Sequence, residues 1–178
     1  MTASPNAPAP PALPPAGGAA VILRIRAYGP PAPQGSKSAF AVRKKGGGYT
    51  GRTVMVDDNK TTLGPWRAAV TAAAVAAQKG LPAPPWSAGL LPIAVTITFL
   101  MPRPASHYTP RGALRAAAPR RPAGARMDID KLCRAVLDAL TDAGCWVDDG
   151  QVSALRAVKW YAHRGDPPGA IIEVSADE

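Results

Sequence analysis

RMDIDKLCRAVLDALTDAGCWVDD (126–149) gathers six of the chain's twelve carboxylates in a protein whose formal net charge is +9. Leu132, Val136, Leu140 and Ala143 recur at helical spacing with Ala139 beside them, while Lys131, Arg134, Asp138 and Asp142 fall on the opposite side. That pattern predicts an amphipathic helix with one face in a core. Gly144 follows the last apolar position, where a C′ glycine ends a helix. The helix is expected to begin near Asp130, which leaves Asp128 and Asp130 at its N-terminus and Asp148–Asp149 a turn beyond its end.

Outward from this helix the hydrophobic period changes from 3.6 to 2. VSALRAVKWYAH (152–163) alternates as a strand, and AIIEV (170–174) makes a last short strand after the turn RGDPPG. On the other side, LPIAVTITFLM (91–101) alternates Ile93, Val95, Ile97 and Phe99 with Ala94, Thr96 and Thr98, the strongest strand signal in the chain. Pro65 suits the first position of a helix over WRAAVTAAAVAAQKG, and Gly80 suits its stop. VILRIRA (21–27) alternates as an opening strand. GPPAPQGSKSAF (29–40) reads as a loop carrying Lys37, because its prolines and glycines break a ladder. AVRKKGGGYTGRTVMV (41–56) reads as two short strands about a glycine-rich turn, with Arg43, Lys44, Lys45 and Arg52 near the tip. The fold class expected is α+β, a small mixed, mainly antiparallel sheet packed against two helices.

Composition narrows the function classes. Residues 1–20 are nearly all Ala, Pro, Gly and small polar residues, so a disordered tail is expected, followed by one domain over 21–178. The tail lacks the basic start and leucine-rich core of a signal peptide, and no run of about 18 apolar residues occurs, so a soluble cytosolic protein with no membrane partner is expected. Cys133 and Cys145 lack zinc-ligand spacing and read as buried thiols. GSKS does not satisfy the phosphate-loop pattern. An excess of 21 Lys and Arg over 12 Asp and Glu points to a polyanionic partner, nucleic acid before membrane.

Two stretches carry the chemistry. Residues 101–126 hold six arginines and no acid among prolines that forbid regular structure, so a loop that is either functional or disordered is expected. Its arginines are suited to phosphate contacts. The expected DNA-binding residues are Arg111, Arg115, Arg120, Arg121 and Arg126 there, Lys131 on the helix, and Arg43, Lys44 and Lys45 at the hairpin. In the acidic stretch Asp128 and Asp130 are one residue apart, so extended backbone would aim both carboxylates the same way. Asp148 and Asp149, returning along the helix, could join them around one point. Such a cluster repels itself without a cation, and hard oxygen donors select Mg²⁺, or Mn²⁺ in its place. Acids at a helix N-terminus also serve simply to complement its dipole and cap free N–H groups, and Asp148–Asp149 could be a solvated turn.

RMDIDKLCRAVLDALTDAGCWVDDGQV resembles the RusA family of Holliday junction resolvases, whose signature runs D-x-D-N-L-x-K, then D-A-L, then G-x-W-x-D-D-x-Q-V. The matching residues are Asp128, Asp130, Leu132, Asp138, Ala139, Leu140, Gly144, Trp146, Asp148, Asp149, Gln151 and Val152. The resemblance implies a homodimeric, Mg²⁺-dependent endonuclease acting on four-way junction DNA. It places metal-binding aspartates at Asp128, Asp130 and Asp149, with Asp148 assisting, and a catalytic lysine at position 134. This chain has Arg134 there and Lys131 where the family has Asn. An arginine keeps the positive charge but does not give up a proton, so a charge-stabilising role survives and proton transfer does not. The rival readings are a branched-DNA-binding module that does not cut, or another Mg²⁺-dependent phosphohydrolase with a DxD motif.

Overall fold

Ile93–Met101 (β4) is the centre of the molecule, and all nine of its residues are buried. The computed structural model describes residues 22–35, 37–43, 46–57, 60–84, 86, 91–124 and 127–177. Four strands form one sheet in the order β1 (Leu23–Tyr28), β6 (Gly169–Ala176), β4, β5 (Val152–Tyr161). The β1–β6 and β6–β4 pairs are antiparallel and the β4–β5 pair is parallel. A parallel neighbour requires a crossover, and helix α2 (Ile129–Asp142) supplies it between β4 and β5. The mixed sheet with two helices agrees with the α+β expectation. Both faces of β4 are covered: Thr96 and Thr98 are only 3% and 6% exposed. A strand flanked on both edges, with only Ala and Thr between its large residues, can be covered on that side too.

The core face is a set of aligned rows. Ile25, Ile172, Ile97 and Ala157 stand side by side across the four strands, as do Leu23, Val174, Val95 and Leu155. Helices α1 (Lys60–Gln78) and α2 cover that face through Trp66, Val70, Leu132, Val136 and Leu140, all buried. Fully burying each such apolar side chain contributes about 1.5–3 kcal/mol. The helices are also tied by polar bonds: Thr71 Oγ1 donates to the Ala139 carbonyl at 3.1 Å, and Arg67 bridges to Asp142 at 2.5 Å and Asp138 at 3.6 Å.

Three element boundaries differ from expectation. Helix α1 starts at Lys60, and Pro65 lies inside it. Pro at the sixth position forfeits one backbone bond, and the extra turn buries Leu63 against the core. Strand β2 (Lys37–Arg43) begins within the segment read as loop, because no proline follows Pro33 and the chain there can pair with β3 (Tyr49–Asp57). The arginine-rich stretch has a defined course over 101–124, with a 3₁₀ turn at Ala105–His107 and a bridge between Tyr108 and Leu114. The tail at 1–20, Lys44, Lys45 and Arg126 lie outside the described residues, as do the side chains of Lys37 and Arg43. Among the described residues no helix is long and apolar enough to cross a membrane.

Candidate nuclease site

Helix α2 presents its first turns to strand β5, and the space between them is a groove of about 420 Å³ lined by Ile129, Asp130, Cys133, Arg134, Leu137, Asp149, Leu155 and Ala157. The helical period places Asp130 and Arg134 one turn apart on the same wall. The third charged residue, Asp149, arrives from the turn after the helix. That turn is fixed by backbone chemistry. Gly144 adopts φ +69°, its N–H donates to the Thr141 carbonyl, and the Cys145 N–H donates to the Leu140 carbonyl at 3.0 Å. This is a Schellman ending, which satisfies carbonyls that the last helical turn leaves free.

The buried residues after Gly144 then hold Asp148 and Asp149 in place. Trp146 is 3% exposed, and its indole N–H donates to Thr141 Oγ1 at 2.8 Å, so it packs the turn onto the helix as a core residue. Buried Gln151 accepts from the Val147 and Asp148 N–H groups at 2.9 and 3.3 Å and donates to the Trp86 and Leu91 carbonyls at 3.3 Å each. Asp148 Oδ1 accepts from the Gly150 N–H at 2.7 Å, which completes a capping box around the 3₁₀ turn Asp149–Gln151.

The four acids thus have separate surroundings. Asp130 and Asp149 line the groove. Asp128 is the N-cap residue of α2 without a side-chain cap bond, and its carboxylate pairs with Lys131 at 3.0 Å. That hydrogen bond, then the charge of Asp128, then the more distant charge of Asp130 raise the Lys131 pKa against a small opposing desolvation. Asp148 lines a different recess, with Pro92, Gly150, Gln151 and Ser153. The four carboxylates were expected around one point; among the described residues no group of three or more acids, histidines or cysteines is placed to hold a metal ion, and Asp130 and Asp149 are the two acids that share the groove. Asp128 is engaged by Lys131 and Asp148 by its capping role.

Sequence reasoning missed the groove's apolar lining. Cys133 was expected only as a buried thiol, and burial, with a smaller contribution from Asp130, does push it up to about 11. Leu155 and Ala157 could have been found as alternate positions of the strand facing the helix. The segment before β2 also reaches the site, because the Gln34 N–H donates to the Lys131 carbonyl at 3.0 Å.

The arginines of the 101–124 segment divide into two kinds. Arg103 donates to the Pro119 carbonyl at 3.0 Å and lies over the Tyr161 ring, and Arg115 donates to the Tyr108 carbonyl at 3.0 Å. Arg121 stacks 4.4 Å over Trp160. The two ring contacts fasten the segment to the end of β5, and the two carbonyl bonds tie the segment to itself. Arg111 and Arg120 stand exposed on it.

A family model described as Endodeoxyribonuclease RusA matches residues 29–175. The chain belongs to the RusA family. Over 40 residues it is 50% identical to the crossover junction endodeoxyribonuclease RusA of Escherichia coli (strain K12), and equally to those of Shigella sonnei (strain Ss046) and Enterobacteria phage 82. The aligned segment covers 22% of this chain and 33% of each relative, so the chain matches a third of the length of these curated RusA proteins. The family match spans both helices and every strand described above except β1, from the residue after β1 to the penultimate residue of β6.

Proposed function

We propose that this chain is a divalent-metal-dependent endodeoxyribonuclease that resolves four-way DNA junctions by paired symmetric nicks, acting as a homodimer. The observation that carries the reading is the placement of Asp130, Arg134 and Asp149 on one groove of a RusA-family fold. A junction with two-fold symmetry calls for two opposed cuts, and a two-fold dimer supplies two such grooves.

The donor set suits a hard ion. Mg²⁺ is commonly held by one or two carboxylates together with waters and substrate phosphate, and Asp130 and Asp149 offer two carboxylates with room between helix and strand. Asp128 would join them on release from Lys131, whereas Asp148 is the least suited because its oxygen serves the Gly150 N–H. When bound, the ion supplies Lewis-acid stabilisation of charge on the phosphoryl oxygens.

The chain's own residues do the rest. Arg134 offers a planar guanidinium to the phosphate and offsets the charge that grows on phosphorus as water attacks in line. The P–O3′ bond breaks as the new P–O bond forms, leaving 5′-phosphate and 3′-hydroxyl ends. Leu155 and Ala157 give the groove an apolar floor beside its charged wall. Arg111, Arg115, Arg120 and Arg121, with Lys131, bind the backbone, and their number sets the salt dependence. Arg43, Lys44, Lys45 and Arg126 join this surface in the same reading.

The alternative, a module that binds branched DNA without cutting, is favoured by the ion pair that occupies Asp128. One assay decides. A labelled four-way junction and a linear duplex are incubated with the protein in Mg²⁺, in Mn²⁺ and with chelator. Paired nicks on the junction alone, dependent on metal, are expected. Tight binding with no nick in either metal would establish the binding module.

A further inference from the structure

Lys159 occupies a position that the packing pattern assigns to an apolar residue. Along β5 the side chains facing α2 are Leu155, Ala157, Lys159 and Tyr161, at the strand's period of two. Across the sheet the row containing Lys159 reads Ala27, Ala170, Phe99, Lys159, and the first three are fully buried. An ammonium group at the end of an apolar row is costly unless it is solvated or partnered. Lys159 is half-buried, and its Nζ donates to the Met127 carbonyl at 2.6 Å. Met127 immediately precedes Asp128. The ammonium is thus anchored by a neutral oxygen beside the acidic end of α2, and a carbonyl leaves its charge uncancelled. Among the described residues no carboxylate forms an ion pair with it.

Of the other cations here, Lys131 is paired with Asp128, and Arg134 does not exchange protons. We infer that Lys159 is a further phosphate-contacting cation of the cleavage site, reaching the DNA strand from β5 beside the N-terminal end of α2. The inference rests on the cleavage reading for the role of the groove, but phosphate contact by Lys159 is measurable without cleavage. A lysine ammonium carries three donors, so a bond to Met127 leaves two for phosphate oxygens.

The test uses the full chain with Lys159→Gln, which keeps a neutral donor for the Met127 carbonyl, and Lys159→Arg, which restores charge. Two quantities are read on a synthetic four-way junction: the salt dependence of binding, with Ca²⁺ replacing Mg²⁺, and the single-turnover cleavage rate in Mg²⁺ at saturating protein. For Lys159→Gln the log–log salt slope is expected to fall by about one, and the cleavage rate by about thirtyfold or more. The melting temperature stays near that of the unaltered protein, and Lys159→Arg recovers the slope. A wild-type slope and rate in the Gln variant overturn the inference. So does a fall that tracks a lowered melting temperature, or a slope that Arg fails to restore, since either marks a purely structural lysine. If the unaltered protein cuts nothing, the cleavage reading fails, and the slope still decides whether Lys159 meets phosphate.

Discussion

At the scale of single residues the groove separates charges by what each is free to do. Asp130 lines it with one wall neighbour, Arg134, a turn away, whereas Asp128 is engaged by Lys131. Asp130→Asn is expected to lower junction cleavage by at least about a hundredfold, the scale of losing one electrostatic element of a transition state. Junction binding should hold or tighten, because a charge that repels phosphate is removed; gel-shift titration beside a cleavage time course checks both. The thiols make a second prediction. Burial raises Cys133 and Cys145 from 9.0 to about 11. Each folded-state pKa lies above its unfolded value, so the unfolded chain loses its thiol protons first as the medium becomes alkaline. Stability is therefore unaffected by these groups near neutrality and falls as pH rises from about 9 to about 11. Urea midpoints across that window should decline less steeply for Cys145→Ala than for the unaltered chain.

At the scale of elements, the DD turn shows how two adjacent aspartates take opposite work. Asp148 caps the 3₁₀ turn while Asp149 lines the groove. Asp148→Ala is expected to cost about 1 kcal/mol, and Asp148→Asn, which can still accept from the Gly150 N–H, a few tenths at most. Gly144→Ala should cost about 1 kcal/mol, because an L side chain is strained at φ +69°. Urea unfolding of the three variants measures each. The helix, its start near Asp130 and its glycine stop were readable because each has a local signature: the 3.6 period, the acids at the N-terminus, the C′ glycine. The start of α1 was not readable, since Pro65 is the strongest nearby punctuation and only the burial of Leu63 explains an earlier start. The partners of Asp128 and Asp148 stand at spacings the sequence displays, i,i+3 to Lys131 and a capping box to Gln151, but reading all four aspartates as metal ligands passed over them. Lys159 drew no notice within an alternating strand, and its meaning needed the register that places it beside Phe99.

At the scale of the whole molecule, a basic chain holds its acids inside a frame of arginines. The 101–124 segment is stapled to β5 by Arg103 and Arg121 rather than hanging free, so it presents Arg111 and Arg120 from a fixed surface. The sheet order has a further consequence, in the sequence in which the molecule assembles. The β4–β5 pairing joins residues about sixty apart in the chain, whereas β4–β6 spans roughly eighty and β1–β6 up to about one hundred and fifty. The groove is therefore built by the most local of the sheet's three pairings, the one with the smallest loop-closure entropy. Ile97→Val, in the crossover unit, is expected chiefly to slow folding, and Ile25→Val, in β1, chiefly to speed unfolding; stopped-flow chevrons of the two separate these outcomes. The cleft walls then take shape on the way to the native state, and β1 completes the far edge of the sheet after the groove has formed.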